Sequence, residues 1–300
     1  MHKQWRFLSW MVPSAVIGLI FLVLVAAWLR TLSGVEVFLV MYPGTTALPA
    51  EAPSGIPGWL GWQHFLNFFF LVLIVRTAWS IRSKKRPDAF WTRSNTGLIR
   101  TTAAPRRIGI NVWLHLVVDA FWVLNGIILM VLLFATGQWM RIVPTSWNVF
   151  PNAVSALLQY ASFDWPTTDG WVNYNSLQVL AYFTTVFVAA PIAVFTGLRL
   201  SSVWPLDSPR LNRIFSEVPL RWTHNAVLFY FVIFTIVHVT LVMTTGAVRN
   251  LNHMFAGNDE TSWWGVGVFA ASIIVTVLVW MVLKPSVIRW LASTSGNVRR

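Results

Sequence analysis

The chain has 300 residues, of which 56% are hydrophobic and only 11% charged, whereas soluble globular proteins have about 25% charged residues. It has no cysteine, which excludes disulfides, covalent c-type haem attachment and thiolate-bound iron–sulfur clusters and leaves histidine as the best transition-metal ligand. A formal net charge of +12 could indicate nucleic acid binding, but the basic residues lie in short segments between apolar runs. That distribution is typical of membrane topology, and we expect no nucleic acid partner.

Six apolar runs are long enough to cross a bilayer as helices, which takes about 20 residues. In chain order they are residues 10–29, 60–80, 111–136, 176–198, 222–245 and 264–283. The first run exceeds the roughly 7–15 apolar residues of a cleaved signal peptide, so it is interpreted as a retained helix rather than as a leader. The sequence therefore predicts an all-α membrane protein, a single integral membrane domain over residues 1–300.

Two of the connecting segments are distinctive. Residues 81–110 are strongly basic, whereas residues 137–175 are long, rich in Trp and Pro, and contain one basic residue. Within the second segment, NVFPNAVSALLQYA at 148–161 is predicted to form a short amphipathic helix that lies on the membrane surface.

The basic residues also predict the orientation of the spans. If the amino terminus is cytoplasmic, 19 of the 22 Lys and Arg residues fall on the cytoplasmic side, and only Arg30, Arg141 and Arg249 fall outside. An excess of Lys and Arg marks cytoplasmic segments. We therefore expect both termini in the cytoplasm.

The fifth run carries two histidines, His224 and His238, fourteen residues apart. In a helix with about 1.5 Å and 100° per residue, this spacing separates them by roughly 21 Å along the axis and about 40° around it. One helix thus presents two imidazoles on one face, near opposite sides of the membrane. Ionisable residues inside a span are costly and are usually functional.

Two further histidines are predicted at matching depths on other spans. His64 begins the second span and shares the outer depth of His238, whereas His115 begins the third span and shares the inner depth of His224. Each depth thus has two imidazoles from two helices, the number of axial ligands in six-coordinate haem iron. We call these pairs the His64/His238 level and the His115/His224 level.

The alternative interpretation is that these four histidines are satisfied polar residues between helices. Their pairing by depth favours metal ligation. His2 and His253 lie in a tail and a loop, so no ligand role is assigned to them, and His253 is expected at the surface.

Other polar and small residues near the histidines have several possible roles. Asp119, one turn beyond His115, could relay protons to a quinone, orient an imidazole or pair with an arginine. Gly126 could make room for a porphyrin or for a neighbouring helix. Residues that could bind haem propionates or only anchor the helices are Arg76, Arg199 and Arg221. Further hydrogen-bond candidates are Asn67, Asn111, Asn125, Asn225 and Thr235.

Several other catalytic patterns are missing from the sequence. It contains no HxxxH or HxxHH cluster of a membrane di-iron enzyme, no HExxH zinc site and no phosphate-binding glycine loop. No extra histidines remain for a haem–copper centre.

The order of the histidines resembles the bacterial dihaem cytochrome b561 superfamily, which includes membrane subunits of nickel–iron hydrogenases, formate dehydrogenases and thiosulfate reductase-like molybdoenzymes. The resemblance is carried by His64, His115, His224 and His238 and covers residues 60–245. It implies a four-helix core of spans two to five in the bacterial inner membrane, with two haem b groups. The resemblance also implies that the core carries electrons between a quinone and an attached soluble oxidoreductase. The quinone would be menaquinone or ubiquinone.

This chain departs from the family pattern in two ways. The flanking spans 10–29 and 264–283 are additional, and the first of them inverts the core, whose helices commonly begin inside in the family. Which haem faces the quinone and which faces the partner therefore stays open.

The expected function is electron transfer between a quinone and an oxidoreductase partner, without further substrate chemistry. The alternatives are a proton-coupled transporter that uses the histidines and Asp119, and a stand-alone transmembrane reductase. We expect an extracytoplasmic partner, such as a molybdoenzyme, to dock on residues 138–174, although these aromatics could equally form a membrane-interface belt. The aromatic residues concerned are Trp139, Trp147, Tyr160, Trp165, Trp171 and Tyr174. The basic inner segment is a rival docking face.

Overall fold

The computed structural model describes residues 2–83, 86–95, 104–165, 169–205 and 207–299, with side chains from residue 9 onwards. The fold is all-α, since 71% of the chain is helical. Within the described ranges, six helices are long and apolar enough to cross a membrane: Ser9–Arg30, Gly58–Ser83, Ile110–Ala135, Ser176–Leu200, Glu217–Thr244 and Trp264–Val282. The predicted all-α membrane class and its six spans are thus confirmed. Basic residues of the predicted cytoplasmic segments that lie outside the described residues are Lys84, Lys85, Arg100 and Arg300.

The elements follow one another along the chain with short connections. The helices are α1 His2–Arg30, α2 Ser33–Met41, α3 Gly58–Ser83, α4 Ile110–Ala135, α5 Val149–Ala161, α6 Ser176–Phe183, α7 Ala190–Leu200, α8 Pro209–Ile214, α9 Glu217–Thr244, α10 Ala247–Leu251, α11 Trp264–Val282 and α12 Pro285–Ser293. A 3₁₀ turn spans Gln138–Arg141, and π-helical turns span Thr184–Ala189 and Asn252–Ala256. The strands are β1 Phe90–Arg93, β2 Arg107–Gly109 and β3 Gly296–Arg299.

The described chain forms two compact units. The first unit comprises residues 1–54 and 134–186, and the second comprises residues 55–133 and 187–300. This division does not test the predicted single domain over residues 1–300 or the predicted core over residues 60–245, and both stay predictions.

In the first unit, α5 packs against α6 and α1. Small buried residues on α5, such as Ala153 and Ala156, allow this close approach, and Asn152 accepts a hydrogen bond from the Gly44 amide at 2.9 Å. The opposite face of α5 is apolar and exposed, with Leu157 at its end. The helix predicted at 148–161 is therefore present with two contrasting faces, and its position on the membrane surface stays a prediction.

The segment before α6 is ordered around Arg141, whose side chain is almost fully buried. Its guanidinium donates to the carbonyls of Gly170 and Trp171 at 2.8 and 3.1 Å and lies over the ring of Tyr174. Burial raises the pKa of Tyr174, and the nearby Arg141 charge opposes this shift.

In the second unit, apolar residues from α3, α4, α12 and the segments beside the strands form the largest buried cluster. Its buried members are Leu73, Ala89, Ile110, Trp113, Leu114, Val118, Leu283, Ile288 and Ala292. A second cluster around Val227 and Phe231 joins α9 to α7. These contacts fix α3, α4, α7 and α9 in one unit.

A small antiparallel sheet of order β2–β1–β3 belongs to the second unit and was not predicted. Trp91 is paired with Ile108 on one side and Val298 on the other, and all three pack against the large cluster. An added Cβ at Gly296 would lie 2.4 Å from the Thr92 carbonyl oxygen, so only glycine allows this close pairing.

The fourth span changes its helical geometry midway, at the π turn Thr184–Ala189. Pro191 follows at the start of α7. Because proline has no backbone N–H, the helix cannot keep its regular bonding pattern on the preceding turn, and a π turn absorbs the mismatch.

Candidate cofactor site

All four predicted ligand histidines lie in the second unit, on three of its helices. His64 lies on the first turns of α3, His115 on the first turns of α4, and His224 and His238 near opposite ends of α9. The sequence-predicted pairs can therefore be compared directly with the positions of the side chains.

The imidazoles of His64 and His238 lie close together, with ring centroids 6.0 Å apart and ring planes at 48°. A metal bound to two imidazole nitrogens at about 2 Å each separates the two ring centres by about 6 Å. The spacing of the His64/His238 level therefore fits one metal atom between the rings.

His115 and His224 lie close enough for their imidazoles to interact electrostatically. Each is held by a threonine on a neighbouring helix. Thr77 Oγ1 lies 2.7 Å from His115 Nδ1, and Thr196 Oγ1 lies 2.9 Å from His224 Nδ1. The two halves of the His115/His224 level thus share one arrangement.

The threonine contacts decide which imidazole nitrogen carries the proton. Thr77 Oγ1 lies 2.9 Å from the Leu73 carbonyl and Thr196 Oγ1 lies 2.6 Å from the Ile192 carbonyl, one turn earlier in each helix. A hydroxyl has one hydrogen, so after donating to a carbonyl it can only accept from the imidazole. Nδ1 therefore carries the hydrogen, and Nε2 keeps the lone pair that a metal needs.

The His64/His238 level is held by aromatic rings instead. Phe255 lies edge-on to His64 with centroids 5.6 Å apart, and Phe234 is stacked on His238 at 5.6 Å with an interplanar angle of 6°. His64 Nδ1 is buried and has no hydrogen-bond partner in the described part of the chain. Leaving a buried ring nitrogen without a partner costs free energy. This cost would be removed if a group that is not part of the chain contacted the His64 imidazole.

Asp119 lies beside the His115 imidazole, with Oδ2 3.5 Å from Nε2. Thr77 occupies the other ring nitrogen, so Asp119 does not orient the imidazole from behind. Among the roles considered for Asp119, this geometry favours exchange of protons at the site over orientation of the ligand.

Two glycines border the histidines in different ways. An added Cβ at Gly197 would lie 3.4 Å from Cε1 of His224, so the absence of a side chain lets this imidazole approach α7 closely. A Cβ at Gly126 would meet no atom within 4 Å. The expected room for a porphyrin at Gly126 is compatible with this open space.

The three arginines considered as propionate partners are engaged with the protein. Arg76 donates to the Leu283 carbonyl and lies over Trp280, which places it at the C-terminus of α11. Arg199 donates to the Phe215 carbonyl at 2.6 Å. A third contact joins Arg221 to Glu217 in an exposed pair.

The other polar candidates differ in their surroundings. Asn67 accepts a hydrogen bond from Trp122 Nε1 at 3.1 Å and so joins α3 to α4. Asn125 is 4% exposed, and neither of its amide atoms has a partner within the described ranges. Thr235 only bonds back to its own helix. The remaining candidates, Asn111 and Asn225, are half-buried.

The expectation that His253 is a surface residue is wrong, because its side chain is buried. His253 lies on the π turn after α10, with Nε2 2.6 Å from Asp259 Oδ1. Asp259 also accepts from Arg249. The Arg249 guanidinium and then the His253 hydrogen bond lower the pKa of the Asp259 carboxyl.

Sequence reasoning missed Thr77 and Thr196 as hydrogen-bond partners of two of the predicted ligand histidines. Predicted depth could have identified Thr77, because Thr77 lies near the predicted inner end of its span, at the predicted depth of His115. The aromatic contacts of Phe255 had no such signal, since they depend on how a loop folds back onto α3.

Comparison with known protein families, with curated proteins and with solved structures finds no match for this chain.

Proposed function

We propose that this protein is a membrane-integral dihaem b-type cytochrome that carries electrons between a membrane quinone and an attached oxidoreductase. The observation that carries the proposal is the pairing of four imidazoles into two levels on three helices, with the His64 and His238 rings 6.0 Å apart. Two imidazoles from different helices would supply both protein ligands of a six-coordinate haem iron, as in a membrane cytochrome b.

The residues of both levels fit this cofactor. His115 and His224 offer Nε2 lone pairs because threonines hold their Nδ1 hydrogens. At the other level, the spacing of His64 and His238 leaves room for one metal atom. When bound, haem supplies reversible one-electron oxidation and reduction of its iron, and this chain's residues fix the ligands and exclude water from them.

On this proposal the chain belongs with the dihaem cytochrome b561 superfamily, and its haem core is residues 60–245. Both termini lie in the cytoplasm of a bacterium, and the core sits in the inner membrane. Asp119, 3.5 Å from His115 Nε2, accepts or returns a proton when a quinol or quinone reacts near the His115/His224 level. Electrons would pass in either direction between the quinone and the partner through the haems that the two pairs of histidines would hold.

The proposed partner is an extracytoplasmic oxidoreductase that docks on residues 138–174. Of the six Trp and Tyr residues in this segment, Trp147 is 84% exposed and the other five are half-buried. Trp147 stacks on Phe150, which is itself exposed. The docking surface is therefore this pair with Val154 and Leu157 on the exposed face of α5.

Changing exposed residues tests the docking surface without disturbing the core of the first unit. Trp147→Ser combined with Phe150→Ser should reduce co-purification of the partner while both haems are retained. Val37→Ser in α2, also exposed, is a matched control. An undiminished complex with the double variant would rule out this surface and point to the basic inner segment.

The proposed function itself is tested by the colour of the purified protein. We expect two haem b per chain by pyridine haemochromogen assay and a reduced spectrum with the α-band of a b-type cytochrome. A His2→Ala variant should be unchanged and is the matched control. A colourless but folded and stable protein would contradict the proposal.

A second candidate, proton-coupled transport, is favoured by the contact between His115 and Asp119. A transporter would move protons in vesicles without any haem, and Asp119→Asn would abolish this movement. A haem-loaded protein whose vesicles show no proton movement in the absence of electron donors would contradict it.

A further inference from the structure

The imidazole of His238 ends a column of stacked rings on one face of α9. Phe234, one turn earlier, lies 5.6 Å from it at an interplanar angle of 6°. Tyr230, another turn earlier, is stacked on Phe234 at 6.2 Å and 16°. Residues four apart lie on the same helix face, so the column follows from the spacing of these three residues. The ring plane of His238 is thus aligned with that of Phe234.

The His64 imidazole is restrained by a different aromatic contact. Phe255 meets His64 edge-on at 89°, and it is supported by Phe269 at 5.4 Å. The turn that carries Phe255 approaches α3 closely at Gly61, where an added Cβ would lie 2.5 Å from the Met254 carbonyl oxygen. The two imidazoles are therefore held by two aromatic contacts of different geometry.

Ring contacts matter here because little else fixes the rotation of the His64 imidazole. The χ2 torsion angle of a histidine side chain has a broad distribution, so the ring rotates easily. In addition, His64 Nδ1 makes no hydrogen bond within the described chain. A face-to-face contact opposes rotation of the His238 ring, because turning it drives its edge into the Phe234 face. The resulting angle between the two imidazole planes is 48°.

We infer that Phe234 is a positioning residue that sets the plane of the His238 imidazole, and thereby the twist between the two ligands of the haem at the His64/His238 level. This inference rests on the proposed function. If both imidazoles ligate one iron, the angle between their planes would determine which iron d orbitals their π systems overlap. It therefore sets the electron paramagnetic resonance signal of the ferric haem and contributes to its reduction potential.

The test compares three variants of the full-length, haem-loaded protein. Phe234→Leu removes the stacked face, Phe234→Tyr keeps it, and Phe229→Leu changes a 59% exposed residue of the same helix. With Phe234→Leu we expect two haems per chain, a shifted and broadened low-spin signal for one haem and an unchanged signal for the other. Phe234→Tyr and Phe229→Leu should match the wild type.

A second variant approaches the same haem from the other ring. Phe255→Leu should shift the same low-spin signal as Phe234→Leu, because both act on ligands of one iron. Unchanged signals in a protein that holds two haems would overturn the inference and leave the proposed function intact. Loss of a haem from Phe234→Leu, instead of a shifted signal, would also overturn it. A wild-type protein without haem would overturn both proposals.

Discussion

The two histidine levels of this protein are built on the same helix, α9, but they are held by different forces. At the His115/His224 level, Thr77 and Thr196 accept hydrogen bonds from the two imidazoles and tie them to α3 and α7. At the His64/His238 level, aromatic rings pack against the imidazoles, and His64 Nδ1 has no partner within the described residues. Hydrogen bonds from the imidazoles to two threonines orient one level, and packed aromatic rings restrain the other.

The difference shows that two pairs of buried histidines in one membrane protein can be held by two kinds of contact. A buried hydrogen bond contributes about 1 kcal/mol, and a favourable aromatic pair contributes about 0.5–1.5 kcal/mol. The two routes are therefore similar in strength. They differ in chemistry, because a hydrogen bond at Nδ1 also raises the electron density on Nε2, whereas ring packing only restricts rotation.

The largest expected effect is the loss of a haem from single histidine variants, and it tests how the four histidines are paired. Replacing His64 or His238 with Ala should remove one of the two haems, and replacing His115 or His224 should remove the other. Haem content and low-temperature spectra of the four variants measure this. If losing His64 gave the spectrum of the His115 variant while the His238 variant differed, the pairing would be wrong.

Labelling of single cysteines assigns each level to a side of the membrane. The chain has no native cysteine, so the variants Arg86→Cys and Thr145→Cys each contain a single thiol that can be labelled. Both positions are exposed. An impermeant maleimide should label position 86 only from the cytoplasmic side and position 145 only from outside. The reverse pattern would exchange the sides of the two levels.

Removing one hydroxyl should affect only the level that it serves. Thr77→Val leaves the Nδ1–H of His115 without a partner, which costs about 1–3 kcal/mol, and should weaken haem retention at the His115/His224 level about 10–100-fold. Thr196→Val should have a smaller effect, because His224 also donates to the Ala193 carbonyl. Haem transfer to apomyoglobin measures the retention. Thr235→Val is the matched control, since its hydroxyl bonds only to the Phe231 carbonyl. Equal losses from both levels would show that the threonines act on the fold as a whole.

Filling the open space at Gly126 should have a smaller effect, and at the other level. Gly126→Leu is expected to lower occupancy of the His64/His238 haem several-fold, because the side chain would compete with the porphyrin edge. Gly18→Leu in α1, where an added Cβ also meets no atom within 4 Å, is the control. Full occupancy in Gly126→Leu would assign this space to lipid.

The smallest expected effect concerns the loop that carries Phe255. The pKa of Asp259 is lowered by Arg249 and His253, so its contribution to stability is present above the unfolded pKa of about 3.9 and is lost as pH falls through the lower folded value. After correction for the pH dependence of the intrinsic exchange rate, the hydrogen-exchange protection factors of residues 249–260 should therefore be constant from pH 7 to about pH 5 and lower in more acidic solution. In Asp259→Asn this acid-dependent change should disappear. A wild-type loop equally protected at low pH would contradict the prediction.

The membrane spans were predictable from the sequence because a bilayer imposes one simple requirement, an apolar run of sufficient length. The positions of the ends shift modestly, most at the fifth span, which begins at Glu217 rather than 222. The partnership of His64 with His238 was likewise predicted from depth alone, and the two rings do lie together. Depth is a property of one helix at a time, which explains why a sequence can reveal it.

Features that depend on several segments at once could not be found in this way. The sheet joins strands of three or four residues whose partners are distant in the chain, such as Trp91 and Val298, so no local pattern marks it. His253 was misjudged because its burial comes from the folding of the loop around Asp259 and not from its position in a span. The π turn at Asn252–Ala256 likewise has no sequence signature.

The strand β3 has a consequence for how the protein is made. Strand β1 pairs with β2 soon after both leave the ribosome, but its other edge stays unpaired until residues 296–299 have been synthesised. At about 5–20 residues per second, that wait lasts roughly ten to forty seconds. During this interval an unpaired strand edge beside Trp91 is available to other chains or to chaperones. A ribosome that stalls before Gly296 would release a chain with all six spans inserted and this edge still open, a mark that a quality-control protease could recognise.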